Sequence, residues 1–143
     1  MFGGKRKGDD RVRKILDAKG IKYEVDRDGD FKVIFDLGEG RSQVAFVNSN
    51  TEEFAGVDVR EVWSVGYVGD GQLSAKVANS LLARNSTYKV GGWQIAQQGG
   101  KVLAIFKVCV AADATSSELM AVLAVVLKIA DDIEKEYMGS DNL

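Results

Sequence analysis

Residues 101–137 read KVLAIFKVCVAADATSSELMAVLAVVLKIADDIEKEY, an apolar strand from Lys101 to Val110 followed by a helix from Thr115 to Tyr137. Thr115 and Glu118 stand at capping-box spacing. The Thr115 hydroxyl accepts from the Glu118 backbone N–H and the Glu118 carboxylate accepts from the Thr115 N–H, which sets the start of the helix. Leu119, Val122, Leu123, Val126, Leu127, Ala130, Ile133 and Tyr137 then recur at helical spacing, the stripe of a helix lying on a sheet. Met120, Val125 and Ile129 widen that stripe, so the helix is expected deep in its own domain, any surplus apolar surface meeting a second chain. In the strand, Val102, Ala104, Phe106, Val108 and Val110 alternate with Leu103, Ile105, Lys107 and Cys109. Both faces are apolar, which predicts a central strand or one covered twice. Cys109 is accordingly expected to be a buried filler, and the chain has no histidine to activate it as a nucleophile.

Outward from this segment, Tyr88 to Gln97 predicts a strand joined to the first by a hairpin turn at Gln98-Gly99-Gly100. Trp93 and Ile95 point to one of its faces. A helix is expected from Leu73 to Asn85, with Leu73, Val77, Leu81 and Leu82 inward and Lys76, Ser80 and Arg84 outward; Asn85-Ser86 ends it by competing for backbone hydrogen bonds. Gly66, Gly69 and Gly71 precede this helix at a spacing that is neither a dinucleotide fingerprint nor a phosphate-binding loop, so a plain turn capped by Asp70 is expected. Val57, Val59 and Val62 to Val68 are extended in character, although Gly66 weakens a strand there and leaves the path open.

In the first third, Asp9 or Asp10 caps a short helix that turns Val12, Ile15 and Leu16 inward and ends at Gly20. Six basic residues between Lys5 and Lys14 are read as part of a flexible tail (residues 1–8) and of this helix, rather than as a phosphate-binding arm. Ile21, Tyr23 and Val25 alternate with charged residues, and Phe31, Val33, Phe35 and Leu37 continue the period of two, giving a hairpin turned at Asp28-Gly29. Asp26, Asp28 and Asp30 resemble the start of a calcium loop, but Phe31 and Leu37 stand where such a loop needs glycine and a bidentate glutamate. Gly38-Glu39-Gly40 makes the next turn. Val44 and Phe46 then alternate with Gln43, Ala45 and Val47 in a third strand, followed by a polar loop from Asn48 to Glu53.

The 143 residues suit one domain that buries about 68% of its unfolded surface without disulfide or metal. A formal net charge of −2 argues against a general nucleic-acid binder. One cysteine excludes an intrachain disulfide, and no signal peptide or spanning apolar segment is read, so a cytoplasmic protein without membrane contact is expected. Proline is absent, which leaves sixteen glycines and the Asp/Asn residues to mark the turns. The fold class that follows is α+β, a single antiparallel sheet of about five strands with three helices in the order α-β-β-β-α-β-β-α. It occupies residues 9–138, with a further tail at 139–143.

Leu81-Leu82-Ala83-Arg84-Asn85 closing a helix, the Gly92-Trp93-Gln94-Ile95 strand, Thr115-Ser116-Ser117-Glu118-Leu119 and Ala130-Asp131-Asp132 together resemble the YbjN family. The resemblance spans roughly Asp10 to Tyr137. That family is similar in fold to type III secretion chaperones, and the resemblance implies one antiparallel sheet with helices packed on it, frequent dimerisation, and a role in protein binding or in regulation of sensory transduction. No active-site motif accompanies it.

Two function classes follow. In the first, the chain is a non-catalytic protein-binding domain of chaperone, adaptor or regulatory type, a homodimer presenting apolar grooves beside a sheet edge to another protein, with no cofactor or metal. Trp63, Tyr67 and Trp93 are its candidate aromatic anchors. The alternative is a small-molecule sensor or an enzyme using carboxylates. Without histidine the commonest general base and metal ligand is missing. Asp131 and Asp132 lie about 100° apart on a helix, which reads as a solvated face rather than a catalytic pair.

Overall fold

The computed structural model describes residues 7–138, and within these a seven-stranded, wholly antiparallel sheet carries three helices on one face. The tails expected at the two ends fall largely outside the described residues, except that Gly8 is buried against the Phe31 ring. Helix α1 (Asp10–Ala18) is capped by Asp9, whose carboxylate accepts from the Arg11 N–H, and it buries Val12 and Leu16. Strands β1 (Tyr23–Val25), β2 (Phe31–Gly38) and β3 (Arg41–Val47) form an antiparallel meander. The first turn is not the two-residue turn expected. It is a loop over residues 26–30 in which Gly29 has a positive φ of 90° and the Asp26 Oδ1 accepts from the Asp28 and Asp30 N–H groups. The acidic cluster thus folds its own loop.

The sheet has two more strands than expected, and both lie between β3 and the second helix. Strand β4 (Glu52–Phe54) overlaps the end of the segment read as polar loop, Asn48 to Glu53; it is three residues long, all exposed, and is paired because Ala55 and Gly56 take up left-handed conformations and turn it onto β5. Strand β5 (Val57–Asp70) runs through fourteen residues with a bulge at Gly66, and it includes Asp70, which pairs with Lys101 instead of capping a helix. Helix α2 (Ala75–Arg84) is capped by Ser74. After a single 3-10 turn at Asn85–Thr87, strands β6 (Gly92–Gln98) and β7 (Lys101–Ala111) form the hairpin, closed by Gly99 and Gly100, both at positive φ. Strand β6 starts later than expected because Gly91, at φ 74°, interrupts the extended chain. Helix α3 (Ser116–Tyr137) carries the capping box of Thr115 and Glu118 in full.

The strand order is β1-β2-β3-β5-β7-β6, with β4 pairing the outer part of β5. One core holds the sheet to the helices: Phe31, Val33, Ala45, Val47, Val62, Ala104 and Phe106 from the strands, and Leu16, Leu81, Leu119, Leu123, Val126 and Ile133 from the helices. Arg60, 2% exposed, pins the parts together. Its guanidinium donates to the carbonyls of Asn48, Ser49 and Ala112 and to the Asp9 carboxylate at 3.0 Å, so α1, the end of β3 and the start of the loop to α3 share one buried cation. Hydrogen bonds from Arg11, and then from Arg60, hold the Asp9 carboxyl well below the ordinary carboxylate range.

Candidate functional site

Helix α2 lies beside β6, an edge strand, and an apolar groove opens at their junction. Val77 and Leu81 turn inward, Leu81 at 4% exposure. Trp93, 7% exposed, sits with them. Its ring meets Phe106 edge-on at 5.5 Å, and its indole N–H donates to the Tyr88 hydroxyl at 3.0 Å. Leu82, expected inward, is instead 70% exposed: it stands about 100° round the helix from Leu81, and the sheet ends at β6, so no strand lies beyond to cover it. Ile95, 54% exposed, faces it. Between them opens a groove of about 290 Å³ lined by Leu73, Ala78, Leu81, Leu82, Trp93 and Ile95, with Gln94 at its lip.

The backbone along this groove is arranged to accept a strand. Gln98 and Lys101 flank the two-residue turn, so by antiparallel alternation Gln98, Ala96 and Gln94 bond to β7 while Trp93, Ile95 and Gln97 direct N–H and C=O outward. At Trp93 the Asn85 side chain takes both groups, accepting from the N–H at 2.7 Å and donating to the carbonyl at 3.3 Å, much as a neighbouring peptide would. Ile95 and Gln97 have no such partner among the described residues. Gly92–Gln98 holds no charged residue or proline, the devices that usually blunt an edge. The opposite edge is guarded: β1 is only three residues long and sits among Lys22, Glu24 and Asp26.

The three candidate anchors fall in three environments. Trp93 is core. Tyr67 lies on the helix side, its ring edge-on to Tyr137 at 6.3 Å. Trp63 is on the opposite, uncovered face, stacked on Phe46 at 4.3 Å with its N–H donating to the Asn48 side chain at 3.0 Å. A period of two would place Trp63 and Tyr67 on one face; the bulge at Gly66, where Val65 opposes Ile105 and Tyr67 opposes Ala104, transfers Tyr67 to the other. The groove residues Leu82 and Ile95 and the clamp Asn85 were not singled out as site residues, because nothing local distinguishes a core leucine from one beyond the sheet's edge.

Two further expectations are corrected. Cys109 is exposed, since the face of β7 that carries it has no helix over it. Asp131 is buried at 6% exposure and pairs with Arg41 of β3, with Lys135 at 3.4 Å, so it fastens α3 to the sheet; Asp132 is solvated and bonds Lys128. Among the described residues no three His, Cys, Asp or Glu side chains converge as a metal set would, and no helix is long and apolar enough to cross a membrane.

A family model, YbjN, described as "Putative bacterial sensory transduction regulator", matches residues 8–136. Among solved structures the fold is similar to one titled "Crystal structure of YbjN, a putative transcription regulator from E. coli", with a TM-score of 0.52 and 14% identity over 88% of each chain. No curated protein matches the sequence.

Proposed function

Because this chain belongs to the YbjN family, whose members are described as sensory transduction regulators, we propose that it regulates by binding rather than by catalysis, taking an extended polypeptide segment along the free edge of β6. The observation that carries this reading is the uncharged edge at Ile95 and Gln97 directly beside the apolar groove under α2. An added strand bonds its backbone to Ile95 and Gln97, and alternate side chains drop between Leu82 and Ile95. Covering those two residues fully contributes roughly 2–4 kcal/mol from their exposed apolar surface, less than the roughly 8 kcal/mol that a micromolar complex requires, so the backbone bonds and further side-chain contacts along the groove supply the rest. Asn85 ends the strand addition on one side and so sets its register. The net charge of −2 and the uncharged edge suit a peptide better than a nucleic-acid backbone, so any transcriptional role would run through a protein partner.

The test is selection of extended peptides from a random library on the wild-type protein, followed by amide exchange on the winning complex. Protection at Ile95 and Gln97, and at least tenfold weaker binding by Leu82→Glu with unchanged unfolding, is the expected result. Enriched peptides that bind Leu82→Glu as well as wild type, or that protect other amides, would place the function elsewhere.

A further inference from the structure

Helix α2 turns an uneven wall toward the edge of β6. Ala78 and Leu82 stand four residues apart on one face of the helix and Leu73 lies just before it, so a single methyl sits between two leucines. The notch left over Ala78 is backed by the buried Leu81 and Trp93, and none of the residues lining it is charged. At about 290 Å³ the groove offers more space than the roughly 150 Å³ apolar cavity that holds a benzene ring, so a large side chain fits where a methyl would leave most of the space empty.

Along the edge the apolar surface is confined to this one place. An added strand turns alternate side chains to the helix side, level with Trp93, Ile95 and Gln97. At Trp93 the Asn85 side chain already holds the edge. Gln97 is exposed and does not line the groove, so a side chain level with it meets a polar neighbour. On the other face the strand runs past Gln94, Ala96 and Gln98. Only the residue paired with Ile95 therefore meets apolar walls, and the glutamines around it hydrogen-bond polar side chains. A chain with several apolar residues in alternation, as an unfolded protein exposes, gains little more here than a chain with one.

Given strand addition at β6, on which this rests, we propose that the added segment is a mostly polar strand with one large aliphatic or aromatic side chain, and that Ala78 is the residue that selects it. The site thereby reads a short motif instead of holding unfolded chains. Selection from the random peptide library on the wild type is expected to enrich Leu, Ile, Phe or Trp at one position, with polar residues at the alternate positions next to it. Replacing that residue by alanine in the winning peptide should weaken binding roughly tenfold or more. Ala78→Leu fills the notch from the protein side and suits a helix, so its urea unfolding should match the wild type. Ala78→Met, unbranched and adaptable, is the second filling variant. Each should weaken the winning peptide roughly tenfold or more while leaving the alanine peptide within about twofold of its affinity for the wild type. Winning peptides with apolar residues at two alternate positions overturn the proposal. So do folded Ala78→Leu and Ala78→Met proteins that bind the winner as well as the wild type does. In either case, if the peptides still protect Ile95 and Gln97 and are lost with Leu82→Glu, strand addition itself stands. Peptides that protect other amides and ignore Leu82→Glu overturn both.

Discussion

Replacing Gly66 by alanine places a methyl group 2.5 Å from the outer ring of Trp93 and 3.2 Å from the Ala130 carbonyl oxygen. Gly66 does not have a positive φ, so the residue is required by close approach and not by backbone conformation. The ring cannot swing away, because it is packed on Phe106 and tied to Tyr88. Overpacking of this kind costs roughly 1–3 kcal/mol. Trp93→Leu alone should cost roughly 2–4 kcal/mol through lost packing and the undonated Tyr88 hydroxyl. In that background the new methyl enters vacated space. The Ala130 carbonyl must still yield by a few tenths of an ångström, while Gly→Ala gains roughly 0.4–1 kcal/mol from the unfolded chain, so Gly66→Ala becomes neutral or stabilising. The four proteins are compared by urea unfolding with a shared slope, reading the coupling as the departure from additivity. A Gly66→Ala cost that agrees in both backgrounds within about 0.5 kcal/mol would refute the account, and with it the assignment of Trp93 as the residue that excludes a side chain at position 66.

Asp9→Asn keeps an N-cap but leaves the buried Arg60 without its carboxylate, at a cost of roughly 1–3 kcal/mol near neutral pH. Since the Asp9 carboxyl is depressed in the folded state, its contribution is complete above the ordinary value of 3.8 and is lost as pH falls through the lower folded value. The stability gap between wild type and variant should therefore hold from about pH 7 to about pH 4 and close only in stronger acid; a gap already closing near pH 6 would show that another group carries it. Thr115→Ala removes one half of the α3 capping box and should cost roughly 1 kcal/mol in thermal or urea unfolding, and no loss would mean that packing alone positions the helix start.

The elements whose physics is local were legible in the residues. The Thr115 to Glu118 box, the stripe along α3, the alternation in β2 and the glycine turns at 38–40 and 99–100 each depend on neighbours within a few positions, and together they imply an antiparallel sheet under helices. A resemblance to one family was legible on the same terms, in short quoted runs such as Gly92-Trp93-Gln94-Ile95. What tertiary structure decided was what lies opposite each side chain. Apolar periodicity shows that both faces of β7 avoid water, but not that the chain itself supplies a single cover, and so Cys109 and Trp63 stand on an open face. Leu81 and Leu82 are the same residue type one step apart; only the position of the sheet's last strand buries one and bares the other. Arg60 and Asp131 look like solvated charges until strands distant in sequence bring Asp9 and Arg41 to them. The need for glycine at the Gly66 bulge is set by Trp93, a distant group that the local sequence does not contain, whereas β4 pairs with the residues just after it through the Ala55-Gly56 turn.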